Sequence, residues 1–278
     1  MAFWGVADFL VHRSVRIIGS AATLLAIGLF GVIGLLPFVL ADLPAIFNPA
    51  SLALLIPLGF AMFFASLANF ESLRKGKLSV TEVVIGMELP FVAILGFVFL
   101  GETLSTIRIA LVLIVFAGIT FVSLPSLRIK LASKKLEAGV AMGILAAIGL
   151  SITNLLTAQS SRAFSPAMAV WFPSLVVVLA CTATILSKGG MREAKKIFAK
   201  SLRVPGLIFA LGAFDVAAWA CYSLSLSSSL LAITTAISVN YAVIAAILGL
   251  VFNKEKLARH QLAGAAIALS AGCLLSFA

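Results

Sequence analysis

Phe99-Leu100-Gly101-Glu102-Thr103-Leu104 returns 153 residues later as Phe252-Asn253-Lys254-Glu255-Lys256-Leu257, and this recurrence decides the fold. The same offset lays Leu73 on Leu226, Thr81 on Thr234 and Arg108 on Gln261. Self-similarity at a fixed period means one structural unit used twice.

The material between these anchors is apolar. Hydrophobic residues make up 62% of the 278, charged residues 11%, and the mean hydropathy is +1.20. A bilayer core about 30 Å thick asks for roughly 20 apolar residues per helix, and only helices and closed barrels satisfy their backbone groups there. The apolar runs are long and do not alternate, which selects helices. Spans are expected at 1–11, 17–40, 51–73, 78–99, 105–124, 137–160, 166–187, 205–226, 230–252 and 259–277. The chain thus reads as an all-α integral membrane protein of ten transmembrane helices. Residues 1–124 form one five-helix repeat, 125–136 a linker and 137–278 a second repeat.

The first span is short, with eleven residues before His12 and Arg13. Either the start lies upstream, or the helix runs on past that pair with both side chains snorkelling to the interface. No basic segment precedes the apolar run and Asp8 interrupts it, unlike a signal peptide.

Lysine and arginine sort by loop: eighteen of the twenty fall in odd-numbered connections. Basic loops stay cytoplasmic, so the odd connections are expected inside and both termini outside a plasma membrane. Arg74-Lys75-Gly76-Lys77 aligns with the uncharged Ser227-Ser228-Ser229-Leu230. Five crossings per unit force the second repeat to be inverted, and the exchanged charges agree with that. Inverted repeats are a recurring plan of secondary transporters, with substrate held near the midplane.

The net charge of +10 is therefore a topology signal, not a nucleic-acid face. The richest connection, Lys188 to Arg203, sets Met191, Ala194, Phe198 and Leu202 against Arg192, Lys195, Lys196 and Lys200. It reads as a short helix on anionic headgroups or as a solvated loop. Cys181, Cys221 and Cys273 fall inside spans and imply packing, not a disulfide framework. His12 and His260 have no partner at metal-ligand spacing. No phosphate-binding or nucleophile motif is present, and no cofactor is expected.

Polar residues inside spans are costly in lipid and are functional candidates by default. Asp215, Trp219, Tyr222 and Leu226 share one helix face, and their repeat equivalents are Met62, Ser66, Asn69 and Leu73. Thr234, Ser238 and Tyr241 match Thr81, Ile85 and Glu88. Trp4, Asp8, Ser151 and Asn154 lie on the first and sixth spans. Such stripes either line a cavity or tie helices together. As cavity candidates we take Trp4, Asp8, Ser66, Asn69, Thr81, Glu88, Asn154, Asp215, Trp219, Tyr222, Thr234, Ser238 and Tyr241. Asp8, Glu88 and Asp215 are also candidates for carrying a coupling proton. Gly139, Gly143, Ala147 and Ser151 on the sixth span, and Gly264, Ala268 and Gly272 on the tenth, read as packing seams. Trp171 reads as an interfacial anchor, and Pro90 and Pro173 as kinks.

Trp4-Gly5, the Glu71 to Gly76 turn followed by Pro90, and Leu100-Gly101-Glu102-Thr103-Leu104 resemble the EamA branch of the drug/metabolite transporter superfamily. The resemblance covers nearly the whole chain. It implies ten helices in two inverted repeats, and export or uptake of amino acids and other small metabolites through a central cavity. Two departures stand out. Asn253-Lys254-Glu255 replaces Leu-Gly-Glu, and Val243 replaces the equivalent of Pro90, so the ninth helix is expected straighter than the fourth. Glu102 and Glu255, in turns, are expected to cap the following helix.

The expected function is a permease moving an amino acid or similar amphipathic solute by alternating access, not an enzyme. Its partners are that solute and the bilayer, with protons as candidate coupling ion and no nucleic acid. A membrane enzyme acting on a lipid or prenyl substrate, using His12, Arg13 and Arg16, and a non-transporting scaffold are the alternatives.

Overall fold

The computed structural model describes residues 1–75, 84–123, 134–253 and 258–277, which are helical apart from short turns, one of them a 3-10 turn at Leu43–Phe47. The spans in order are Ala2–Ile17, Ser20–Val39, Pro49–Lys75, a fourth that ends with Glu88–Leu100, Thr106–Ser123, Lys134–Ala163, Met168–Ser201, Pro205–Leu226, a ninth in two pieces (Leu231–Ser238 and Tyr241–Asn253) and Arg259–Leu275. Thr81, Glu255 and linker residues 125–133 lie outside the described residues.

The polarity pattern is that of a membrane protein. Ile33, Phe38, Phe97, Ile107 and Phe209 are exposed on the perimeter, whereas Ser14, Thr23, Ser72, Thr153, Asn154 and Ser223 are buried. Buried hydroxyls find carbonyls one turn back, as Thr157 does on Thr153 (2.7 Å) and Ser161 on Thr157 (2.7 Å).

The most extensive packing is between repeats. The third span packs on the sixth as the first does on the eighth, and the third on the seventh as the second does on the eighth. The fourth packs on the sixth as the first does on the ninth. The second and seventh, fourth and ninth, and fifth and tenth pair with each other. Exchanging the repeats leaves this contact pattern unchanged, which is what a two-fold pseudo-axis in the membrane plane produces. The repeats are therefore interwoven. The third, fourth and sixth spans form one group, and the eighth, ninth and first form its counterpart.

Small residues permit the close approaches. A Cβ on Gly118 of the fifth span would lie 2.7 Å from the Ala268 amide nitrogen of the tenth, and one on Gly264 would lie 2.7 Å from the Gly118 carbonyl oxygen. Ser72 of the third span donates to the Gly139 carbonyl of the sixth at 2.8 Å, and Ser151 donates to the Ala147 carbonyl on its own helix at 2.6 Å. Gly272 leaves room for the Asn240 side chain.

The fourth and ninth spans are not continuous helices. Residues 84–85 are helical, Gly86 and Met87 form a turn, and a helix resumes at Glu88; the ninth span turns at Val239 and Asn240 and resumes at Tyr241. The breaks coincide under the 153-residue offset. Met87 N–H donates to Val84 and Leu89 N–H to Gly86 (both 3.2 Å), matching Asn240 N–H to Ile237 (3.4 Å) and Ala242 N–H to Val239 (3.2 Å). The expectation of a straighter ninth helix is thus corrected. Pro90 sits in the first turn after the break, where its missing N–H costs no helical bond, so proline does not mark the interruption. In the ninth span the Asn240 amide donates to the freed carbonyls of Ala236 (3.0 Å) and Ile237 (3.3 Å).

The first helix continues past His12 and Arg13 to Ile17, and the Arg13 guanidinium lies 4.5 Å from the centre of the Phe9 ring. The seventh helix runs to Ser201 but breaks at Gly190, whose φ of 58° only glycine adopts readily. Beyond it, Met191 and Phe198 are exposed, as a separate amphipathic helix requires. Trp171 is not an interfacial anchor. It is buried against Leu35, Val39 and Leu55, and its indole N–H donates to the Val32 carbonyl at 3.0 Å.

The glycine contact yields a direct test. Gly118→Val should lower stability by about 1–3 kcal/mol through overpacking, visible as a lower thermal midpoint of the purified protein. Gly34→Ala, where an added Cβ meets nothing within 4 Å, should leave that midpoint unchanged.

Candidate functional site

The two helix breaks meet a central, partly open cavity. Irregular backbone at membrane depth is tolerated where it lines such a space. Glu88 and Tyr241, each the first residue after a break, both line it.

The lining follows the repeat. Met62 and Asp215, Ser66 and Trp219, Asn69 and Tyr222, and Glu88 and Tyr241 are equivalent pairs at offset 153, and every member faces the cavity. On the first two spans of each repeat the matching offset is 146. It pairs Trp4 with Leu150, Asp8 with Asn154, Leu24 with Val170 and Gly28 with Ser174, again all lining. The longer connection Lys188 to Arg203 absorbs the difference. The cavity therefore lies on the pseudo-axis, while its chemistry is lopsided because the aromatic partner of three pairs comes from the second repeat.

Among the sequence candidates, Trp4, Asp8, Ser66, Asn69, Glu88, Asn154, Asp215, Trp219, Tyr222, Ser238 and Tyr241 line the cavity. Thr81 lies outside the described residues. Thr234 is a correction: it is buried beside Ser225, 3.4 Å between hydroxyl oxygens, and its neighbour Thr235 reaches the cavity instead. Ser174, Gly28, Leu24 and Val170 were missed. Ser174 spends its hydroxyl proton on its own helix, on the Val170 carbonyl at 2.8 Å, and nothing in the sequence distinguished it from a packing serine.

Four rings gather on one side. Trp4 meets Trp219 edge-on at 5.1 Å, Tyr222 at 5.1 Å and Tyr241 at 6.2 Å, centre to centre. Thr235 Oγ1 donates to the Leu231 carbonyl at 2.8 Å, so Tyr222 donates its phenolic proton to Thr235 at 2.7 Å. Asp8 lies within electrostatic reach of both Glu88 and Asp215, and Glu88 is hydrogen-bonded to Asn154. No Lys, Arg or His lines the cavity among the described residues.

Ten membrane helices, two helix breaks on a pseudo-axis and a central cavity lined by carboxylates, aromatic rings and aliphatic side chains define the class of membrane transporters built from inverted repeats. The EamA-like transporter family model matches residues 1–124 and 137–277, and the chain belongs to that family. No curated protein matches. Among solved structures, 29 chains match. One of them, described only as "Crystal structure of protein", superposes with a TM-score of 0.69 at 12% identity over 99% of this chain and 96% of its own, a likeness of fold.

At one end of the bundle a charged network joins the repeats. Glu102 does not cap the following helix. Both of its carboxylate oxygens accept the Leu231 N–H (2.8 and 3.0 Å), capping the first half of the ninth span. Arg162 donates to Glu102 at 2.7 Å and to the carbonyls of Leu226 (3.1 Å) and Ser229 (2.9 Å). The anion thus meets a helix N-terminus and the cation a helix C-terminus, as the helix dipoles favour. Nearby, Ser165 donates to Asp42, a second tie between repeats. Arg162 was invisible as a partner in the sequence because Glu102 lies 60 residues away.

Glu102→Gln should cost about 2 kcal/mol, since a charge-assisted bond is lost in a buried setting. A double-mutant cycle of thermal stability with Arg162→Met should give a coupling energy well above zero. Additive single effects would mean the two do not interact.

Proposed function

We propose that the protein is a secondary carrier that moves a small amphipathic metabolite, of the class that includes amino acids, by alternating access through the central cavity. The observation that supports this reading is the coincidence of both helix breaks with a polar cavity on the pseudo-axis. A site between symmetry-related elements can be exposed to either face by exchanging their conformations, and the interwoven packing makes the moving bodies the two three-span groups, not the sequence halves. Protons are the candidate coupling ion, carried by Asp8, Glu88 or Asp215. The excess of basic residues in the odd-numbered connections supports a cytoplasmic location for them.

His12, Arg13 and Arg16, on which the membrane-enzyme alternative depended, do not line this cavity.

A thermal-shift screen against amino acids, amines and other metabolites should find a stabilising solute, because ligands stabilise by mass action. Reconstituted in liposomes, the protein should then exchange that solute in a pH-dependent manner. Glu88→Gln combined with Asp215→Asn should abolish the pH dependence and reduce flux by at least about tenfold, near 1.4 kcal/mol. Unchanged binding and pH-independent flux in both proteins would eliminate this reading.

A further inference from the structure

The lining holds three carboxylates, from Asp8, Glu88 and Asp215, and no cationic side chain among the described residues. Asp215 is only 9% exposed and makes no hydrogen bond or ion pair among them. Asn69 Oδ1 is a further buried acceptor without a partner. A buried carboxylate with nothing opposite it holds a proton or a counter-charge, so an entering cation can take the place of the proton these groups hold, and a donor on it can serve Asn69. One turn from Asp8 and Asp215 on the same two helices stand Trp4 and Trp219, which with Tyr222 and Tyr241 offer aromatic faces and edges to the same cavity, and aromatic faces attract cations, most strongly where water is excluded. Apolar patches from Leu24, Ile27, Met62 and Val177 complete the lining.

We infer that the cavity selects organic cations, amines or quaternary ammonium compounds with an apolar body, whose charge sits between Asp8, Glu88 and Asp215 and the aromatic wall. This rests on the carrier reading of the same site and restricts its amphipathic solute to cations, setting zwitterionic amino acids aside. A zwitterion would have to bury its carboxylate among three others with no cation to receive it. An anion meets the same repulsion without compensation.

The test uses purified full-length protein and four kinds of probe: the cations putrescine, choline and tetraethylammonium; dimethylbutanol, the neutral carbon isostere of choline; glycine betaine, which adds a carboxylate to the same head group; and glutamate. Binding is read from quenching of tryptophan fluorescence, since Trp4 and Trp219 form the wall. At least one cation should bind saturably. If it is choline, dimethylbutanol and betaine should bind at least about tenfold more weakly. Asp215→Asn and Trp219→Leu should each weaken the cation by a similar factor. Equal affinity for choline and its neutral isostere, tighter binding of betaine or glutamate, or no response to any cation would overturn the inference. The comparison among probes is made on the wild-type protein, so it decides the matter even where a variant misfolds. Uptake into proteoliposomes separates the two claims: a bound cation that never crosses contradicts the carrier and leaves the selectivity standing, whereas a transported neutral or zwitterionic solute with cations inert does the reverse.

Discussion

Lipid offers no partner to a peptide group, and this single constraint organises the molecule. Every helix satisfies its own backbone, so an interruption at membrane depth has to be placed where other polar groups can serve it. The chain interrupts itself at Gly86-Met87 and at Val239-Asn240, and both interruptions adjoin the same cavity. Short i to i−3 bonds and the Asn240 amide take up the freed groups. The cavity is thus tied to the backbone plan and is not a gap left by imperfect packing.

Duplication explains where the cavity lies, and divergence explains what it can hold. Equivalent positions line the same cavity, but Ser66, Asn69 and Glu88 in the first repeat correspond to Trp219, Tyr222 and Tyr241 in the second. The result is a pocket with carboxylates and aromatic rings and, among the described residues, no basic side chain, inside a protein whose net charge is +10. The basic residues gather in the connections, where they bias orientation. Of the acidic residues, Asp8, Glu88 and Asp215 line the cavity and Glu102 ties the repeats, while Glu71 and Glu193 pair with basic neighbours beside the connections.

Much of this was legible in the chain. The offset that aligns Glu102 with Glu255 located the repeat, and hydropathy placed the ten spans and, through the stripes, most of the cavity wall. What failed has a physical pattern. Helical periodicity says nothing of where a helix is interrupted, so the expectation for the ninth span followed the absence of proline at Val243, whereas the break falls at residues 239 and 240. Long-range partners such as Arg162 for Glu102, Val32 for the Trp171 indole and Ala268 for Gly118 leave no local signal, because their meeting depends on how repeats interlock. Ser174 and Gly28 became visible only through their equivalence at an offset of 146, hidden by the longer Lys188 to Arg203 connection.

Alternating access is tested most directly by thiol accessibility at Ser66→Cys, a cavity position, in a protein whose Cys181, Cys221 and Cys273 have been replaced. In oriented membranes, a membrane-impermeant maleimide should label this site when applied from either face, because the cavity opens to each side in turn. A position that stays unlabelled from both faces, while a cysteine in the exposed Ser228-Ser229 turn reacts, would show a sealed, dry centre and contradict the carrier.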